Sequence, residues 1–247
     1  TFTTPVAPTS DVNKVTVESA AHTVVTCSVG GECAVGDRGP GGGIVYYVSA
    51  NNFTSTGSTC NTACKYLEVA PSTWQSGIVA NDSNYQWSTN TTVTTGQDRV
   101  TASTEGIAAN SSVEKYNWKI GQGFYNTSVM KVAGATSAAQ AAVLAYAGSS
   151  TAGQWFIPSM NELNELCKYA RGQSTGDPTV ACVSGSGTFK STANAGTDLG
   201  GFVVGSVTYW SSSENSAGNA WMRYFHNGGH VNYPKTNAAY VRPVRAF

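Results

Sequence analysis

The chain has 247 residues, of which 40% are hydrophobic and only 11% charged, with 14 basic residues balanced by 14 acidic ones. That is enough apolar material for a core, which excludes a disordered chain. The zero net charge removes the steering field expected of a nucleic-acid or anionic-lipid binder, and no apolar run approaches the roughly 20 residues that cross a bilayer.

In chain order, TFTTPVAPTS lacks the basic segment and apolar stretch of a signal peptide and reads as a mature or trimmed end. Residues 1–22, Thr/Pro-rich at their start and closed by His22, are expected to form a linker or strand arm, with the domain proper at 23–247. Residues 23–48 read as strand, turn, strand: HTVVTC, then GDRGPGGG, then the buried run IVYYVSA. The glycine turn lacks the Lys-Ser/Thr of a phosphate loop and is too short for a collagen triplet array. The stretch 52–136 is rich in Asn, Ser, Thr and Gly and carries scattered aromatics, the pattern of long pinned loops. Five Asn-X-Ser/Thr sequons begin at Asn52, Asn81, Asn90, Asn110 and Asn126.

Two helices follow. SAAQAAVLAYAG (137–148) is Ala-rich, opens at Ser137 and stops at Gly148. The next opens on the capping box Ser159-x-x-Glu162, carries an apolar stripe of Met160, Leu163, Leu166, Cys167 and Ala170, and closes at Gly172. The final block, from VTYWSSSE to AAYVRPVRAF, reads as strands joined by polar turns, with NGGHVN as a hairpin turn and a single closing strand containing Pro243.

Six cysteines fall in three close pairs, Cys27 with Cys33, Cys60 with Cys64 and Cys167 with Cys182. They permit fifteen connectivities, of which neighbour pairing closes the shortest loops. Only CNTAC nears zinc-ligand spacing and it has no second half-site, so disulfides and a location outside the cytoplasm are expected.

WFIPSMNELNEL, then YWSSSE, AW and YVRPVRAF, with GDRGPGGGIVYYV and CKYLEVAP upstream, resemble a family of bacterial surface domains. These are related to the carboxy-terminal domain of the Legionella collagen-like adhesin and to the Fibrobacter paralogous surface domains. The resemblance runs over about residues 30–247. It implies an α+β, C-type-lectin-like fold: two helices flanking twisted antiparallel strands, long disulfide-pinned loops, and chain ends paired close together. The last block is also similar to the variable region of proteins diversified by retroelements, in which adenine mutagenesis of Asn codons alters positions between fixed anchors. Asn215, Ser216, Gly218, Asn219, Tyr224, His226, Asn227, Asn232, Tyr233, Pro234, Thr236 and Asn237 fit the products of such mutagenesis, and Met222 does not.

Strand alternation gives the block its faces. Trp221, Arg223 and Phe225 share one side and are expected in the core, with Arg223 at the rim or paired with an acid such as Glu214. Met222, Tyr224 and His226 share the other and are expected to face solvent or ligand. Trp210 and Tyr240 are assigned to the core, and Arg242 and Arg245 to structural use on opposite faces. The expected binding surface, within a variable block 209–247, comprises Asn215, Ser216, Gly218, Met222, Tyr224, His226, His230, Asn232, Tyr233 and Thr236. This is the mixture of rigid Tyr and adaptable Asn, Ser and Gly that paratopes use.

No metal or cofactor is expected. His226 and His230 straddle a Gly-Gly turn and share no helix face, and calcium finds only the adjacent Glu214 and Asn215 with no Glu-Pro-Asn triplet. No enzyme is expected either, since neither histidine lies near a GxSxG-type serine. The formylglycine-generating enzymes share the lectin-like architecture and use paired cysteines, but the pairs here close short loops suited to structural bridges. The expected function is extracellular recognition, on a cell or virion surface, of a surface protein or glycan, by an adhesin or a phage-fibre tip. The alternative is a surface-layer, filament or fibre subunit that uses the same face to pack against a sister copy in a homo-oligomer.

Overall fold

The computed structural model describes residues 26–75, 82–106, 114–191, 200–203 and 205–247. The expected arm at 1–22, most of HTVVTC, and the sequons at Asn81 and Asn110 lie outside them. The fold is mixed α+β. One sheet has three antiparallel strands in the order β1 (Ile44–Phe53), β2 (Cys64–Val69), β8 (Val244–Ala246). The other has five: β3 (Asn84–Gln86), β7 (Ala238–Tyr240), β4 (Thr208–Glu214), β5 (Asn219–Tyr224) and β6 (His230–Pro234). All its pairings are antiparallel except one parallel register between β4 and β7 at Tyr209 and Tyr240.

Among the described residues there are three α-helices rather than the expected two. α2 (Ala138–Ala145) starts after its expected cap but ends where Tyr146 turns extended, before the expected stop at Gly148, and α3 (Met160–Ala170) falls where its caps place it. Ser137 accepts from the Gln140 amide, and both halves of the Ser159–Glu162 capping box are formed. The additional helix, α1 (Gln122–Val129), begins after Gly121 at φ 90° with no side-chain cap. Its sequence, QGFYNTSV, carries no apolar stripe. Tertiary bonds hold it instead: Asn126 Nδ2 donates to the Asn117 carbonyl at 2.7 Å and Thr127 Oγ1 to that of Ile157 at 3.2 Å. Asn126 is fully buried, so its sequon offers no accessible amide.

Residues 27–29, at and past the end of HTVVTC, form a single 3-10 turn inside the short loop that the Cys27–Cys33 bridge closes. One further expectation is corrected. The closing segment is not one strand: it breaks at Val241–Pro243 and contributes β7 to one sheet and β8 to the other. Pro243 has no N–H to continue a ladder, although its carbonyl accepts from Ala70 N at 2.9 Å. The remaining bridges, Cys60–Cys64 and Cys167–Cys182, are the neighbour pairs.

The motifs acquire physical reasons. The GPGGG turn wraps an internal carboxylate: Gly41 N and Gly43 N each donate to Glu68 at 2.9 Å, and Arg245 Nη1 donates to it at 2.6 Å. A Cβ at Gly39 or Gly41 would sit 2.5 Å from a Glu68 oxygen, so only glycine permits the approach. Arg242 is likewise internal, donating from Nε to Asp82 at 2.6 Å and from Nη2 to the Gly201 carbonyl at 2.8 Å. In the SSS run, Ser211 Oγ donates to the Trp221 carbonyl at 2.8 Å, and Ser213 Oγ donates to that of Asn117 at 2.7 Å. These hydroxyls satisfy buried backbone where the β4–β5 register shifts.

The core has two parts. One gathers Tyr46, Leu67, Phe156, Leu163, Leu166, Trp221 and Phe225, and the other Trp87, Trp155, Trp210, Met222 and Val241 with Ala139 and Val143 of α2. β5 contributes alternate residues to both.

Candidate functional site

The β4–β5–β6 meander sets the faces. Directly opposed residues of an antiparallel pair point the same way. The registers Trp210↔Met222↔Val231, Thr208↔Tyr224 and Ala220↔Tyr233 therefore put Met222, Tyr224 and Tyr233 on one side. Trp221↔Asn232 and Arg223↔His230 put His230 and Asn232 on the other. Trp221 and Phe225 are 6% and 0% exposed, as alternation requires of a core face.

Met222, Tyr224 and Tyr233 meet in a concavity of about 350 Å³, whose lining also includes Asn84, Ser206, Val207, Thr208 and Tyr240. Tyr233 is 45% exposed, whereas Met222 is only 4% exposed. Met222 is thus corrected from an exposed contact to a buried one. Both faces of the sheet carry core, so alternation there moves a side chain from one cluster to the other rather than into water. It forms the floor and the tyrosines the wall.

The other expected residues are not gathered there. His230 packs edge-on against Trp118 and Trp221, with ring centroids 5.4 and 5.8 Å away. Burial, and secondarily the Arg223 guanidinium, hold its pKa down at about 4, so it is neutral at pH 7. Asn232 accepts from Asn219 Nδ2 at 3.2 Å. Asn215, Ser216 and Gly218 are half-buried in the β4–β5 turn. There the amides of Asn215 and Ser216 donate to the Asn219 carbonyl, and the Gly218 carbonyl accepts from Lys235 N. His226 lies edge-on to Tyr224 at 5.4 Å. Thr236 is exposed in the β6–β7 turn, its carbonyl accepting from Gln86 Nε2 at 2.8 Å.

Arg223 is also corrected. It is fully buried and donates to the Gly228 carbonyl, not to Glu214. Glu214 is held instead by Lys235 Nζ at 2.6 Å, Arg99 Nε at 3.0 Å and the Thr95 amide at 3.0 Å. These contacts occupy the carboxylate that calcium would need. Among the described residues no group of three or more His, Cys, Asp or Glu converges as a metal site, and all six cysteines are in bridges. No helix among the described residues is long and apolar enough to cross a membrane.

Sequence reasoning missed Val207, Thr208 and Asn84, and it placed Tyr240 wholly in the core. Tyr240 is half-buried, tilted on Tyr209 at 5.7 Å while its other side borders the concavity. Extending the β4 alternation back from Trp210 would have found Thr208. Nothing local could have found Asn84, which arrives from β3. The lining carries no charged side chain. It offers phenol, hydroxyl and amide groups around a thioether floor, a surface suited to a neutral ligand with both apolar and hydrogen-bonding parts.

No curated protein matches the chain. The model of the Lcl C-terminal domain, that of the Legionella collagen-like protein, matches residues 74–245. The match opens at Trp74 and takes in β3–β7 and most of β8, leaving out β1 and β2. With most of its length matched, the chain belongs to the Lcl C-terminal domain family.

Proposed function

We propose that the domain is an extracellular, adhesin-like recognition module, built on a C-type-lectin-like scaffold over residues 23–247, that binds a neutral group of a protein or glycan displayed on a cell surface. The observation that carries this reading is the uncharged concavity floored by Met222 and walled by Tyr224 and Tyr233. Membership of the Lcl C-terminal domain family supports a surface role, and three disulfides support an oxidising compartment. Tyrosine gives large contact area with few rotors to immobilise, so a few such residues can carry most of an affinity.

The test is binding of labelled domain to arrayed extracellular proteins and neutral glycans. The double variant Tyr224→Ala/Tyr233→Ala should lose binding to whichever probe is retained, by about tenfold or more. Unchanged binding overturns the reading. So does a change confined to sedimentation behaviour, which would make this face a contact between sister copies.

The tail block also divides as a diversified segment would. Ser216, Asn227, Tyr233, Thr236 and Asn237 are half-buried or exposed, while Tyr209, Trp210, Trp221, Phe225 and Arg242 are buried. A near-copy of this block, Asn-rich and encoded beside a reverse transcriptase, is the observation that tests it.

A further inference from the structure

We propose a second ligand site, for a neutral sugar, in the cleft between β3 and the carboxy-terminal end of α2. The cleft holds about 520 Å³, within the roughly 300–1,000 Å³ usual for small-ligand sites. Three aromatic residues line it, Trp74, Tyr85 and Tyr146, together with Ala142 and Ala145 of α2 and Ala147 just beyond it. Small residues on one wall keep open a space that larger ones would fill.

The aromatic wall is rigid before any ligand arrives. Trp74 Nε1 donates to Asp82 at 2.8 Å, and that carboxylate is fixed by Arg242 Nε at 2.6 Å and the Tyr209 hydroxyl at 2.7 Å. Tyr146 packs edge-on against both Trp74 and Trp155, with centroids 6.0 and 5.0 Å away. Gln75 Nε2 donates to the Tyr85 hydroxyl at 2.5 Å, while its Oε1 accepts from Ser83 N at 3.0 Å. Because the Tyr85 oxygen accepts there, its own proton is directed elsewhere and can be given to a ligand.

A pyranose matches this surface. Its ring presents a C–H face to an aromatic side chain and a rim of hydroxyls to Tyr85 and the exposed Ser83. The lining is uncharged. A uronic or sialic carboxylate would therefore lose water without gaining a cation, which disfavours acidic sugars. The site is separate from the tail concavity. Successive residues entering β3 point to opposite sides: Ser83, just before the strand, and Tyr85 line this cleft, while Asn84 lines the other.

The experiment uses the full chain and the methyl glycosides of glucose, galactose, mannose and N-acetylglucosamine, with methyl glucuronide as the acidic comparator, followed by chemical-shift titration. At least one neutral glycoside should bind in the millimolar range and the glucuronide should not. Ala145→Trp, at an exposed helix position, should weaken binding about tenfold or more by filling the cleft, and Tyr85→Phe about fivefold by removing the donor. Tyr224→Ala/Tyr233→Ala should leave it unchanged. Failure of every neutral glycoside, equal binding of the glucuronide, or survival of binding in both Ala145→Trp and Tyr85→Phe overturns the site. If Ala145→Trp fails to fold, Ala142→Gln takes its place.

Discussion

Lys235 and Glu214 lie 21 residues apart, and Lys235 Nζ meets the Glu214 carboxylate at 2.6 Å with both side chains fully buried. Burial presses the ammonium to lose its proton and pulls the Lys235 pKa below its ordinary value, while Glu214 opposes the shift. Removing one member of a buried pair leaves the other uncompensated. Lys235→Ala should therefore cost about 3–5 kcal/mol, read as a lower urea midpoint. Arg99 and the Thr95 amide still hold Glu214, which places the expected value at the lower end of that range. Lys235 sits within the expected variable block yet behaves as an anchor. The aromatic residues sort in the same way. Trp221→Ala or Phe225→Ala should each cost about 3–5 kcal/mol. Tyr224→Ala/Tyr233→Ala should cost no more than about 1 kcal/mol, because these side chains border solvent. Equal destabilisation of the two sets by urea titration would mean that the assigned faces are reversed. The Trp221 and Phe225 side was legible from strand alternation alone. Met222 was not, because alternation says which residues share a side and not whether that side is dry.

At the scale of elements, α3 shows why the cap was easier to read than the surroundings. Ser159 and Glu162 announce the helix start locally. Its apolar stripe suggested one buried face, yet every residue from Met160 to Ala170 is buried. The polar side is covered by the loop at 173–182. There Asn164 donates to the Val180 carbonyl at 2.8 Å and accepts from Cys182 N at 2.8 Å, Glu165 accepts from Gly176 N at 2.8 Å, and Lys168 donates to the Asp177 carbonyl at 2.6 Å. Such a cover depends on partners distant from the helix pattern, as does α1, so neither was visible in sequence periodicity. The Cys167–Cys182 bridge, with a separation of 15, holds this loop closed. On chain entropy, replacing both cysteines with Ala should lower stability by about 3 kcal/mol. The same change at Cys60 and Cys64, with a separation of 4, should cost only about 2 kcal/mol. Scanning calorimetry of the two double variants tests that order, and the reverse order would show that α3 does not need the loop.

At the scale of the whole molecule, the tail joins parts that are far apart in sequence. Arg242 reaches Asp82 and Arg245 reaches Glu68, while β7 and β8 enter different sheets. The VRPVR motif was legible as structural, but its acidic partners lie more than 150 residues away and could not be named from spacing. Folding thus places several titratable groups in the interior, and their opposed shifts shape the pH dependence of stability. His230 has a folded pKa of about 4 against an ordinary value of 6.5, chiefly from burial. As pH falls from 6.5 to 4 the unfolded chain takes up a proton that the native state refuses, and stability declines. Glu162 shifts the other way: burial raises it from 4.5 to about 7 despite bonds from the amides of Ser159, Gly121 and Gly123. As pH rises from 4.5 to 7 the native state keeps a proton that the unfolded chain has lost, so stability declines on that side too. Glu68 and Glu165 are raised as well, with the same sign as Glu162. Between pH 4.5 and 6.5 the slopes of His230 and Glu162 have opposite sign and offset each other, so what these two groups leave uncompensated lies below pH 4.5 and between pH 6.5 and 7. Urea midpoints of His230→Phe should lose the acid-side decline, and those of Glu162→Gln should lose the decline towards pH 7. A wild-type profile that steepens between pH 4.5 and 6.5, or one that neither substitution alters, would show that these two groups do not govern it.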